Sequence, residues 1–164
     1  NRFVSIRQHL RESWADVDVE LKRRYNLIPN LVNTVKGYAA HEKAVFEEVT
    51  AARSKAMDNQ GRPDRQSADE QRLVRGVSRL MAVAEQYPDL KANANFLALQ
   101  DELTNTEDRI AAARRFYNGN VREMNQLCRT FPSNLLAGIF GFEEQGFFEV
   151  DDPSERAVPD ATIN

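Results

Sequence analysis

Residues 96–128 read FLALQDELTNTEDRIAAARRFYNGNVREMNQLC, which is the clearest amphipathic pattern in the chain. Its apolar positions recur every three or four residues for about nine turns, the period of an α-helix. These positions are Phe96, Leu99, Leu103, Thr106, Ile110, Ala113, Tyr117, Val121, Met124 and Cys128. Pro132 lacks a backbone N–H and is expected to end this helix. A short apolar helix is predicted from Asn134 to Phe140.

The same spacing opens the chain. Its apolar positions are Phe3, Ile6, Leu10, Trp14, Val17, Leu21, Tyr25 and Ile28. Pro29 interrupts the pattern, which then resumes, so we expect either a kinked helix or two abutting helices. Gly37 weakens helix formation and indicates a boundary near residues 37–41.

Two more helices are predicted between these long ones. The first carries Val45, Phe46 and Val49, and it ends before a loop at residues 58–66 that contains Gly61 and Pro63. Ser67 followed by Glu70 has the spacing of a capping box, which predicts that the next helix begins there. That helix carries the apolar positions Leu73, Val77, Leu80, Met81 and Ala84, and it is expected to end at Tyr87-Pro88-Asp89.

Long helices with short connections and no candidate strand predict an all-α fold. The favoured architecture is an up-and-down four-helix bundle of long antiparallel helices, with a short extra C-terminal helix, over residues 1–150. A single extended coiled coil fits less well, because a loop and several prolines break the apolar stripes. Residues 151–164 are acidic and poor in apolar residues, and they are predicted to form a disordered tail.

Composition narrows the function classes. The chain has 164 residues, of which 41% are hydrophobic and 29% charged, so it is ordinary globular material. The net charge is −3, and no basic stripe is interleaved with aromatic residues, which argues against a nucleic-acid surface. No apolar run reaches the roughly 20 residues that cross a membrane. Because the sequence opens in mid-pattern without a methionine, we expect that a segment upstream has been removed.

The sequence carries little catalytic chemistry. Metal sites in bundles use Glu-x-x-His pairs, yet neither His9 nor His41 has a glutamate three residues before it. Cys128 is the only cysteine and lies on an apolar stripe, where a buried structural thiol is expected. It allows no internal disulfide, which mildly favours a reducing compartment. The seven glycines are scattered and form no phosphate loop. We therefore predict no catalytic, metal-binding or cofactor-binding residue.

Four polar residues lie on one face of the last long helix. Glu107, Arg114, Asn118 and Asn125 are spaced by seven, four and seven residues, which places them on one helix face. They can pair with Asp18 or Arg24 on a neighbouring helix. The favoured interpretation is a polar core ladder that fixes helix register, and the alternative is a ligand site.

Aromatic residues are dense after the last long helix. Phe140, Phe142, Phe147 and Phe148 lie within nine residues of one another. They either cap the open end of the bundle or form a docking patch, for which Phe142, Phe147 and Phe148 are the candidate partner surface.

The chain carries four distinctive blocks in order. The first is LKRRYNLIPNLV from residue 21, with VKGY and His41-Glu42 after it. The second is SRLMAVAE from residue 78, with YPDLKA after it. The third is TEDRIAAARR from residue 106, with Tyr117-Asn118 after it. The fourth is Phe131-Pro132, which leads to Phe140-Gly141-Phe142 and Phe147-Phe148. Together these blocks resemble the LemA family. The match runs in order over roughly residues 10–149. The loop at residues 58–66 and the acidic tail fall outside the blocks.

The resemblance implies a membrane-spanning helix ahead of residue 1, followed by a helical-bundle domain with no established catalytic activity or cofactor. Proteins similar to this family also occur in magnetosome membranes. Arg2, Arg7 and Arg11 fit the cytoplasmic flank of such an anchor, which predicts a single-pass bacterial membrane protein with this domain in the cytoplasm.

The leading hypothesis is therefore a non-enzymatic, membrane-tethered interaction or scaffold module with a protein partner. The alternative is a small-molecule- or metal-binding bundle with a polar core site around Glu107, Arg114 and Asn118. A purely structural homo-oligomer is the third possibility.

Overall fold

The computed structural model describes residues 1–59 and 62–150, and in these ranges the chain is helical and contains no strand. Six helices follow one another: α1 Arg2–Lys36, α2 Lys43–Asp58, α3 Pro63–Ala84, α4 Pro88–Lys91, α5 Ala94–Arg129 and α6 Ser133–Phe140. The predicted all-α class is confirmed. The acidic tail at residues 151–164 lies outside the described residues, as does part of the loop at residues 58–66.

The longest helices, α1 and α5, pack side by side in opposite directions. Arg2 near the start of α1 pairs with Glu123 near the end of α5 at 3.1 Å. Arg24, further along α1, pairs with Glu107, which lies earlier in α5, at 2.9 Å. Residue numbers that rise on one helix while they fall on the other define an antiparallel pair.

The helices α2 and α3 form a second antiparallel pair. Arg79 pairs with Glu48 at 2.7 Å, and Lys55 pairs with Asp69 at 3.8 Å, so the numbers again run in opposite directions. Since α2 also folds back along α1, the four long helices alternate in direction. That alternation agrees with the predicted up-and-down bundle.

The helix α1 continues through Pro29 without a break. Proline has no N–H to donate to the carbonyl four residues earlier, which here belongs to Tyr25. The Nε of Arg53 in α2 donates to that carbonyl at 2.7 Å. A side chain from the neighbouring helix therefore satisfies the group that Pro29 leaves open, and the two-helix alternative for this region is wrong.

The start of α3 corrects a second prediction. The helix begins at Pro63, four residues before the expected capping box, with proline in the first turn where its missing N–H costs nothing. Ser67 lies inside the helix and its hydroxyl donates to the Pro63 carbonyl at 3.1 Å. Glu70 does not cap the helix. It is fully buried and faces α1.

The predicted apolar stripes form the core. In α1 every predicted stripe position is buried except Trp14, which is half-buried and packs against the core. In α5 seven of the ten positions are buried, and Leu99, Ala113 and Cys128 are half-buried against it. The helical period read from the sequence therefore identifies the inward faces of both long helices.

Candidate functional site

A buried ionic cluster joins three helices in the middle of the molecule. The guanidinium of Arg24 in α1 donates to Glu70 of α3 at 2.5 Å. Its other terminal nitrogen donates to both carboxylate oxygens of Glu107 in α5, each at 2.9 Å. The side chains of Arg24 and Glu70 are 1% and 0% exposed, whereas that of Glu107 is 39% exposed. A charge buried this deeply is tolerated only when it is paired, so these contacts fix how the three helices sit together.

Two further side chains complete this cluster. The hydroxyl of Tyr25 donates to Glu70, and the amide of Gln66 donates to the same carboxylate at 3.3 Å. Burial, and then the charge of Glu70, raises the pKa of Tyr25 far above its ordinary value. Burial alone would lower the pKa of Arg24, but the charges of Glu107 and Glu70 and the hydrogen bonds to them raise it. Both groups are therefore held in the protonated state, as donors to the carboxylates.

The structure brings some of the predicted polar ladder together and leaves one member out. Arg24 and Glu107 meet directly, and Arg114 is buried on the same side of α5. Asp18 instead pairs with Lys22 at 2.8 Å on the surface of α1. Glu70, the deepest acid of the cluster, was not among the predicted residues. Its signal was present in the sequence, since it lies three and seven residues before the apolar stripe positions Leu73 and Val77.

A groove lies between α3 and α5 above the ionic cluster. It has a volume of about 440 Å³, and Val150 is among the residues that line it. Its apolar walls are formed by Val74, Val77, Met81, Leu103, Ile110 and Ala111. Its polar groups include Arg24, Glu107 and Arg114, and the buried Nε of Arg24 has no hydrogen-bond partner among the described residues. The groove is therefore lined by both apolar side chains and charged groups.

The extended residues 142–150, which we call the strap, run back along α5 towards this groove. Asn118 exchanges two hydrogen bonds with the backbone of Phe148, both at 2.9 Å. Asn125 does the same with the backbone of Gln145, at 2.7 and 3.1 Å. Seven helical residues rise about 10.5 Å, close to the span of three extended residues, so the spacings match. Two members of the predicted ladder thus hold the strap.

The strap is anchored by aromatic side chains. Phe148 is 0% exposed, and its ring meets Trp14 edge-on with centroids 5.3 Å apart. Phe142 is half-buried and stacks on Phe3 at 4.7 Å. Phe147 is 37% exposed. Phe148 therefore packs in the core instead of offering a docking surface, and of the three predicted positions Phe147 is the most open to solvent.

An exposed apolar surface lies on α6 and on Phe131, two residues before this helix. We call it the end face. It consists of Phe131, Leu135, Leu136, Ile139 and Phe140, which are 49–75% exposed. Within α6 only Ala137 is buried. The short helix is predicted from the sequence, but its outward-facing apolar side is not. The available signal was the complete absence of charged residues from 130 to 142.

The part of the chain that the structure describes contains neither a metal-ligand cluster nor a membrane-spanning helix. No group of three or more His, Cys, Asp or Glu residues there is placed to hold a metal ion. None of the helices in these ranges combines the length and the apolar character needed to cross a membrane. Burial, and then the charge of Glu144, raises the pKa of Cys128, which disfavours the reactive thiolate.

Comparison with known proteins adds an independent line of evidence. The family model described as the LemA family matches residues 13–162. Magnetosome protein MamQ 2 of Paramagnetospirillum magneticum is 29% identical over 91% of this chain and 64% of its own length. Magnetosome protein MamQ of Magnetospirillum gryphiswaldense is 27% identical over 90% of this chain and 64% of its own. Protein LemA of Metamycoplasma hominis is 28% identical over 84% of this chain and 63% of its own.

The chain thus spans slightly less than two thirds of the length of these relatives. The family match nevertheless covers most of α1 and all of α3, α5 and α6, which form the ionic cluster, the groove and the end face. On this evidence the chain belongs to the LemA family.

Proposed function

We propose that this chain is the folded part of a non-enzymatic, membrane-tethered interaction module of bacteria. The observation that carries the proposal is the end face, where five large apolar side chains are exposed together. Contiguous apolar patches on otherwise polar proteins are typical of surfaces that bind a protein or a membrane. The ionic cluster supports the same view, because its charged groups are engaged with one another in joining α1, α3 and α5.

The position of the end face fits a tethered protein. Leu136 of α6 borders the same hollow as Asn1, Arg2 and Phe3, so this surface lies at the end of the molecule where α1 begins. A tether that enters α1 from a membrane would hold the end face close to that membrane. The basic residues Arg2, Arg7 and Arg11 in the first turns of α1 favour the cytoplasmic side.

Photo-crosslinking in native membranes tests the proposal. Full-length protein carries a photoreactive residue at position 139 of the end face, and a matched variant carries it at position 116. Phe116 is a suitable control because it is 63% exposed on α5, whereas Ile139 is 74% exposed. We expect position 139 to give adducts with another molecule and position 116 to give none. Only intramolecular products at position 139 would contradict the proposal.

Cysteine accessibility tests the cytoplasmic placement separately. Asn105 is exposed on α5, so a cysteine at this position in a Cys128→Ser background is open to reagents. We expect an impermeant thiol reagent to label it only after the cells are lysed. Labelling of intact cells would place the domain outside and overturn this part of the proposal.

A second candidate function rests on the groove. Its volume of about 440 Å³ lies within the range of small-molecule sites, and Arg24 and Glu107 are among the residues that line it. A ligand with an apolar body and a polar head would fit this chemistry. Screening for ligands that raise the melting temperature, with Val77→Trp as a variant that fills the groove, tests it. No ligand-dependent rise, or an equal rise in the filled variant, would remove the support for this function.

A further inference from the structure

The apolar side of α6 faces outwards, whereas a helix on the surface of a soluble protein normally buries its apolar side. Leu135, Leu136, Ile139 and Phe140 have the spacing that places them on one helix side, and all four are exposed. A surface helix normally buries such a stripe against the core and exposes polar residues. Here the core receives only Ala137 from this helix. The end face is therefore shaped to be covered by something outside the described chain.

Charge next to the end face points to the nature of its partner. Arg7 and Arg11 share a hollow with Gly141 and Phe142, immediately after α6, and the Arg7 guanidinium lies 5.2 Å from the centre of the Phe142 ring. Neither arginine forms an ion pair within the described residues. By contrast, Arg2 and Arg129 are neutralised, by Glu123 at 3.1 Å and Glu144 at 2.6 Å respectively.

Glu143 is the acidic residue in the same hollow, and it is exposed. Arg7 and Arg11 together therefore leave a positive balance beside an apolar helix that itself carries no charge. Long arginine side chains can place their charge at the level of lipid phosphates while aromatic and aliphatic side chains enter the boundary below.

We infer that the end face docks on the surface of an anionic lipid bilayer, with Ile139 and Phe140 entering the headgroup boundary and with Arg7 and Arg11 contacting lipid phosphates. The inference rests on the proposed function, because it names the partner of the same surface. It adds that the folded domain binds the membrane through a contact of its own, separate from any tether. Such a contact would fix the orientation of the bundle on the membrane.

Co-sedimentation of the 164-residue chain with vesicles tests the inference. One set of vesicles contains phosphatidylcholine alone, and the other contains phosphatidylcholine with phosphatidylglycerol. The end-face variant is Ile139→Glu with Phe140→Glu, and the matched control is Leu97→Glu with Phe116→Glu, which alters two exposed apolar residues of α5. All four positions are exposed, and thermal melts verify that each variant folds.

We expect the unaltered chain and the control to bind the anionic vesicles, and we expect the end-face variant to bind about tenfold or more weakly. Arg7→Gln with Arg11→Gln should weaken binding to anionic vesicles and leave the weaker binding to neutral vesicles unchanged. Absence of vesicle binding, or an equal loss in the control, would overturn the inference. Light scattering that shows the end face buried in a dimer would also overturn it.

Failure of the lipid-docking inference can be distinguished from failure of the proposed function. If vesicles do not bind the chain but position 139 crosslinks to a discrete protein in native membranes, the interaction module stands and the lipid partner is wrong. If position 139 crosslinks only within its own chain, both are wrong.

Discussion

Arg24 shows how much the interior of this protein depends on a single residue. It is almost fully buried and is held between the carboxylates of Glu70 and Glu107. The mutual attraction offsets the loss of hydration only while all partners are present. Removing the arginine leaves Glu70 as a buried, uncompensated charge.

Arg24→Met should therefore lower the free energy of unfolding by about 3–5 kcal/mol. Arg23→Met is the control, since the Arg23 side chain is 46% exposed and lies 3.8 Å from Glu20. The control should change stability by no more than about 0.5 kcal/mol. Urea denaturation measures both values. An equal loss of unfolding free energy in the two variants would show that the buried cluster contributes no more to stability than a surface ion pair.

Asn118 is a polar residue whose side chain forms hydrogen bonds with the backbone of the strap. Asn118→Ala removes both hydrogen bonds to Phe148 and leaves its backbone N–H and C=O without these partners. We expect a loss of about 1–3 kcal/mol, together with faster hydrogen exchange at the Phe148 amide. Asn105→Ala, at an exposed position of the same helix, should affect neither quantity. Unchanged exchange at Phe148 would mean that Asn118 does not hold the strap.

At the scale of the elements, the apolar period predicts where the helices lie. Hydrogen bonds between helices then decide whether a helix continues through a residue such as Pro29. Around Pro29 the sequence is compatible with either a kinked helix or two abutting helices, because a proline normally breaks or bends a helix. What decides between them is Arg53, which lies 28 residues away from Tyr25 in sequence and satisfies its free carbonyl. A pairing of that kind leaves no periodic signal, so it could not be predicted from the local pattern.

The pairing predicts a coupling between two positions. Arg53→Met should destabilise the protein by about 1–3 kcal/mol, because the Tyr25 carbonyl loses its donor. In a Pro29→Ala background the restored N–H at residue 29 can donate to that carbonyl, so the same change should cost clearly less. Chemical denaturation of the four proteins in this double-mutant cycle gives the coupling energy. Strictly additive effects would mean that Arg53 does not act through Pro29.

The candidate sites were less predictable than the helices. The spacing of Asn118 and Asn125 predicts that they lie on one helix face, and both bond to the backbone of the strap, which has no sequence signature. The spacing of Ser67 and Glu70 predicts a helix cap. The packing of α3 against α1 turns Glu70 inwards instead. Such assignments depend on which helices meet, and the periodicity of one helix does not contain that information.

At the scale of the whole molecule, the ionic cluster, the strap and the end face have different roles. The ionic cluster joins α1, α3 and α5, and the strap closes part of the space beside α5. The end face then concentrates exposed apolar side chains where α1 begins and α5 ends. We propose that the bundle supports this one surface and presents it to a membrane.

Lipid contact at position 139 is the most direct test of that claim. A polarity-sensitive fluorophore is attached to Ile139→Cys, and to Phe116→Cys as a control, in a Cys128→Ser background. Anionic vesicles that contain brominated lipids are then added. We expect a blue shift and quenching of the probe at position 139 and neither effect at position 116. An unchanged probe at position 139, or equal quenching at both positions, would contradict the proposed membrane contact.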